Sequence, residues 1–335
     1  MSARRTDGQF HIAWEQRVIK VAETLELKFG LQHPNFSFDG EGPQVVEKLR
    51  NLAGRAESNG FDSFWVMDHF HQIGNVGEVE EPMLEGWTTQ SVVAGFTSKI
   101  KLGTLVTGIV YRHPSVLAKV GATLDVLSKG RLYMGIGAAW NVDEAAAYGI
   151  PFPPVKERMQ RLEEAVQIIR KMWTEESATF SGKFYQIRNA YCNPKPIQKP
   201  YPPIMIGGSG ERRTLKIAAK YGDACNIFGS VETVKKKLGV LREHCRSVGR
   251  DYDSIVKSKL GRVVIDKEKE KVAEAIKGMP EDRRREYAIY GTPEEVRRQV
   301  EAFRDAGVEY LIVNLEPDRE LQALELFANE VVRKL

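Results

Sequence analysis

From about residue 27 onward, short apolar, β-branched runs alternate with longer stretches of helical period, and this rhythm restricts the fold more than any other feature. Strands are expected near Leu27–Gln32, Ser63–Met67, Ile100–Val106, Arg131–Ile136, Ile204–Ile206, Ala224–Phe228, Val256–Ile265 and Tyr310–Leu315. Helical patterns follow most of them, at Pro43–Ser58, Gly86–Ser98, Ser115–Leu127, Val155–Trp173, Glu211–Tyr221, Glu232–Val248, Pro293–Ala306 and Arg319–Lys334. Thr292-Pro293-Glu294-Glu295 has the chemistry of a helix start: a capping hydroxyl, a proline in the first turn and acids beside the positive end of the dipole. Eight strand-helix pairs in one chain predict a single α/β domain, a (β/α)8 TIM barrel over 27–335. A doubly wound open sheet is the alternative. Two segments break the rhythm: an N-terminal extension, 1–26, and an insertion of about 150–202 between strands four and five. The insertion carries a hairpin pattern, Thr179–Ile187, turning at Ser181-Gly182.

Bulk properties mainly exclude. The 49 Lys+Arg against 45 Asp+Glu leave a net charge of +4, too balanced to argue for a nucleic-acid or membrane partner. There is no long apolar span and the N-terminus lacks a signal-peptide core, so a soluble, cytoplasmic protein is expected. Three cysteines without a CxxC pair suggest neither a disulfide framework nor a thiolate metal site.

In a barrel, chemistry gathers at the C-terminal ends of the strands. Strand two ends in Asp68-His69-Phe70-His71. The His-x-His pair invites a metal-dependent hydrolase reading, but none of the other histidines, His11, His33, His113 and His244, lies at the end of strands four to eight. Asp68 and His69 are more economically a hydrogen-bonding and proton-transfer pair, and no metal is expected. Strand four runs into Gly135-Ile-Gly137-Ala-Ala-Trp140-Asn141. Trp140 occupies the place of the third glycine of a dinucleotide fingerprint, which argues against a nicotinamide site; it serves as an aromatic wall or a packing residue. Strand five opens into Gly207-Gly208-Ser209-Gly210-Glu211-Arg212-Arg213, whose glycines and helix-start amides suit a phosphate.

These motifs together resemble the bacterial luciferase-like superfamily, and within it the oxidoreductases that use the deazaflavin coenzyme F420. The resemblance rests on Phe61–Phe70, Lys101–Thr107, Gly130–Gly137 with Trp140-Asn141, and Pro203–Gly210 followed by Gly222-Asp223. It implies a barrel whose mouth holds the cofactor ring. Asp68 and the catalytic residue His69 would lie beside the ring. Leu105-Val106, a bulge that is often a non-prolyl cis peptide, would press on its back, and Thr107 would bond it. Ala138, Ala139 and Asn141 would line the cofactor, Gly208, Ser209 and Gly210 would hold its phosphate, and His33 and Trp140 would face a small-molecule substrate. In the sugar-phosphate dehydrogenases of this family a glutamate used as a catalytic acid or base stands where this chain has Trp140, so the resemblance does not imply glucose 6-phosphate as the substrate. The resemblance implies a homodimer, and an FMN-dependent monooxygenase is the neighbouring alternative.

Overall fold

The computed structural model describes residues 27–37, 43–74, 76–316 and 319–335. The N-terminal extension therefore lies outside the described residues. Eight parallel strands take the barrel positions: β1 (Lys28–His33), β2 (Ser63–Val66), β3 (Lys101–Thr104), β5 (Met134–Gly137), β8 (Ile204–Gly207), β9 (Ala224–Ile227), β10 (Val256–Ile265) and β12 (Tyr310–Asn314). Their order is β3-β2-β1-β12-β10-β9-β8-β5. A parallel bridge between Leu102 and Leu132, with Tyr133 N donating to Leu102 O at 2.8 Å, joins β3 to β5 and closes the ring. The TIM-barrel expectation is met. Strands buried on both faces need nearly continuous apolar runs, which is why Phe64-Trp65-Val66 and Tyr310–Val313 read as they do.

Helices α1 (Pro43–Ser58), α2 (Gly86–Phe96), α3 (Pro114–Leu127), α4 (Val142–Ala147), α5 (Val155–Thr174), α6 (Thr214–Tyr221) and α7 (Val231–Val248) come first. They are followed by α8 (Lys269–Ile276), α9 (Glu281–Tyr287), α10 (Pro293–Asp305) and α11 (Glu320–Glu330). The main apolar core lies between this helical layer and the sheet, and a smaller one fills the barrel with Trp65, Tyr133, Met205, Tyr310 and Ile312. Two polar atoms of that inner core share one partner, since Trp65 Nε1 and Tyr310 Oη both bond Ser63 Oγ. At the start of α10 the amide of Thr292 donates to Glu295 Oε2 at 2.8 Å, completing the expected capping box.

Three details add to the expectation. Strand three is not continuous: it ends at Thr104, the Leu105–Val106 peptide is cis, and a short β4 (Thr107–Gly108) resumes beside β5. The segment of about 150–202 holds α5 and a separate hairpin. Helix α5 belongs to the barrel layer, with Trp173 Nε1 donating to Ala118 O on α3 at 2.8 Å, so the added element is the antiparallel hairpin β6 (Ser177–Ser181) and β7 (Gln186–Tyr191). Between β10 and the last strand, α8, α9 and β11 (Ala288–Gly291) form a second excursion that periodicity did not reveal; β11 pairs in parallel with the end of β10.

Candidate active site

At the C-terminal mouth of the barrel lies a cavity of about 760 Å³, in the size range of small-molecule sites. His69, Trp140, Leu105, Gln32 and Asn314 line one part of it, and residues of α8 and α9 line another. Gln32 Nε2 donates to Leu105 O at 3.2 Å, and Asn314 Nδ2 donates to Gln32 Oε1 at 3.3 Å, so strands one and eight fix the carbonyl of the cis peptide. Val106 points the other way, where Cβ atoms on Gly137 or Gly207 would come within 2.8 Å and 2.6 Å of its methyl groups. Those two glycines are what lets strands β5 and β8 admit it.

His69 is held by a residue that the sequence did not single out. Its Nδ1 lies 2.8 Å from Glu144 Oε2, and the edge of its ring meets Trp140 with centroids 5.6 Å apart. Glu144, on α4, also accepts from the amides of Phe70, at 2.6 Å, and His71, at 3.4 Å, and from the Tyr111 hydroxyl. Burial alone would raise this carboxyl, but the bonds from His69, Tyr111 and Phe70 prevail and hold it at about 2. The adjacent Asn141 side chain accepts from Glu144 N at 3.2 Å and caps α4, which is how that helix comes to aim its carboxylate inward. The Asn141-x-x-Glu144 spacing is a capping pattern legible in the sequence, yet it does not reveal that the glutamate turns to the histidine.

Asp68 faces a different partner. It is buried in a bidentate pair with Arg112, at 2.7 and 2.9 Å, and Arg112 continues to Glu85, whose carboxylate caps α2. Burial pushes the Asp68 carboxyl up while Arg112 pulls against it. Thr107 Oγ1 accepts from Trp87 Nε1 at 2.9 Å and shares a 2.7 Å bond with Thr104 Oγ1. His71 Nδ1 sits 3.0 Å from the carbonyl of Gln72. His33 does not line the cavity: it is buried beside Phe36, with Nδ1 2.9 Å from Glu320. Trp140 stands at the rim, 60% exposed.

The two turns that the sequence assigned to a cofactor have the backbone to receive one. Ala139 takes a left-handed φ of 62°, rare for a side chain that gains nothing there, and Arg158 Nε donates to the carbonyl of Ala138 at 3.1 Å. After β8, Gly208 has φ 115° and its amide is spent on Asn226 O. Among the described residues, the amides of Ser209 and Gly210 donate to no backbone carbonyl. Arg212 and Arg213 are exposed beside them, while Ser209 Oγ accepts from Phe228 N at 2.9 Å. Unspent amides, a glycine conformation and two guanidiniums fit a phosphate. Among the described residues, no group of three His, Cys, Asp or Glu side chains is arranged to hold a metal ion, and no helix is long and apolar enough to cross a membrane.

A family model described as luciferase-like monooxygenase matches residues 27–276. The chain belongs to the luciferase-like monooxygenase family. Among its luciferase-like relatives is an F420-dependent glucose-6-phosphate dehydrogenase of Kineococcus radiotolerans, 35% identical over 212 residues, which cover 62% of this chain and 61% of that one. A dehydrogenase of the same name from Amycolatopsis mediterranei is 26% identical over 322 residues, 86% of this chain and 94% of its own. In fold, the chain matches the F420-dependent tetrahydromethanopterin reductase of Methanopyrus kandleri with a TM-score of 0.77 at 24% identity, over 92% of this chain and 99% of that one.

Proposed function

We propose that this luciferase-like chain is an F420-dependent oxidoreductase that moves a hydride between the deazaflavin and a small organic molecule. The observation that carries the reading is the cavity itself. It joins a histidine oriented by an ionised carboxylate to a floor fixed by Gln32 and Asn314. When bound, F420 supplies the carbon that gives or accepts the hydride, which leaves the protein to orient the reactants and manage a proton. Ser209, Gly210 and the two arginines would hold its phosphate, and the Leu105 and Ala138–Ala139 backbone would border its ring.

The proton falls to His69. Glu144, held at about 2, is a carboxylate at neutral pH and accepts the Nδ1 proton, so Nε2 is the nitrogen left to exchange a proton at the cavity. Hydride gain at a carbonyl carbon needs a proton on the oxygen, and hydride loss from an alcohol needs one removed; one imidazole serves either direction. Trp140 walls this position from solvent. The dyad acts on whichever substrate oxygen lies next to Nε2. A homodimer belongs to the same reading, and sedimentation should give twice the chain mass.

The test is a screen of ketones, aldehydes and alcohols against the F420-loaded protein, followed by absorbance of the cofactor. On any substrate found, His69→Gln should lower kcat by about 100-fold or more with F420 affinity unchanged. Undiminished turnover in that variant would remove His69 from the reaction.

A further inference from the structure

The far side of the mouth cavity has an unusual charge inventory. Strand β10 places Ser258, Leu260 and Arg262 on one face by its two-residue period; Ser258 bonds Asn226 inside the barrel, and Leu260 and Arg262 line the cavity. Arg262 stands in register with Asn314, another lining residue. Arg283, on α9, reaches the same cavity from the excursion between β10 and β11. Around these two guanidiniums the wall is largely apolar, with Met279, Pro280, Tyr287, Phe228 and Leu315, and among the described lining residues there is no aspartate or glutamate.

Three arginines near this end of the barrel are matched. Arg112 is paired with Asp68 and Glu85, Arg319 with Asp266, and Arg158 donates to two carbonyls. Arg262 is half-buried, yet among the described residues it makes no hydrogen bond, ion pair or ring contact. A guanidinium is permanently charged, and placing one at an apolar wall without a counter-ion is costly unless an anion joins it. The glycine-rich turn after β8 lies two strands away round the barrel, roughly 10 Å at ordinary strand spacing, so the two cationic positions are separate.

We infer that Arg262, with Arg283 at the rim, forms an anion subsite for the substrate, and that the substrate is a compact apolar molecule bearing a carboxylate or phosphate. This rests on the reading of the cavity as the substrate site. The anion could instead come from the acidic tail of the cofactor, and the experiment separates the two sources. Octanoate, octan-1-ol and octylamine are titrated against the F420-loaded protein, following tryptophan fluorescence, which Trp140 at the rim makes sensitive to occupancy. The wild type should prefer octanoate to octanol by at least ten-fold and bind octylamine most weakly. Arg262→Gln should bring octanoate to within about two-fold of octanol, Arg262→Lys should restore part of the preference, and both should keep wild-type F420 affinity. Equal binding of the three probes by the wild type would overturn the subsite, and needs no variant to fold. So would an Arg262→Gln protein that binds octanoate normally but F420 poorly, since the arginine would then serve the cofactor. If the protein takes FMN in place of F420 and still loses its octanoate preference on substitution, the subsite stands and the cofactor assignment falls.

Discussion

Glu144 is the residue that holds the ring of His69. Its carboxyl is held at about 2, against an ordinary value of 4.5, so the stability it confers is fully present above pH 4.5 and is lost as pH falls towards 2. Glu144→Gln removes the charge while keeping the shape. At neutral pH it should cost about 2 kcal/mol by weakening a buried network of four donors. Urea denaturation of both proteins from pH 7 to pH 2 should show the difference shrinking below pH 4.5. A difference independent of pH would mean that the carboxylate is not ionised in the folded state. Among residues, the glycine-rich turn stands at the end of its strand as read, and the cis peptide at Leu105–Val106 is the one that the family resemblance implied, whereas Asp68 and His69, read as a hydrogen-bonding pair, take separate partners, Arg112 and Glu144. Side chains that meet across the barrel were not legible. Glu144 is 75 positions from His69, and Arg112 is 44 from Asp68, and nothing in either local pattern says which way the side chain turns.

At the scale of elements, period and capping located the long helices because each has one buried stripe and a chemical start signal. Helices α8 and α9, eight and seven residues long, are too short to establish a period, and β11 is a four-residue strand between them and α10. Strand three was read as one run because cis peptides leave no composition signal. Packing between elements makes a paired prediction. A Cβ at Gly135 in β5 would lie 2.1 Å from the backbone oxygen of Thr104, which cannot move without breaking the ladder, whereas one at Gly54 in α1 meets nothing within 4 Å. Gly135→Ala should therefore cost about 3 kcal/mol, while Gly54→Ala should add about 0.5–1 kcal/mol through helix propensity. Thermal unfolding of the two variants checks both signs; a tolerated Gly135→Ala would place β3 and β5 further apart than described.

For the whole molecule, the alternation of strand and helix specified the barrel, and the barrel specified where to look. What the pattern could not supply was closure chemistry, the hairpin's place outside an otherwise regular helical layer, and the second excursion that roofs the mouth with α8 and α9. These depend on contacts distant in sequence. The same architecture serves both a deazaflavin and FMN in principle, since each brings a ring to the mouth and a phosphate to a glycine turn. The proposed chemistry depends on which one this chain takes. Titration of the purified protein with F420 and with FMN, by fluorescence, tests this most directly. The account predicts saturable F420 binding at least about 100-fold tighter than that of FMN; tight FMN binding without affinity for F420 would contradict it.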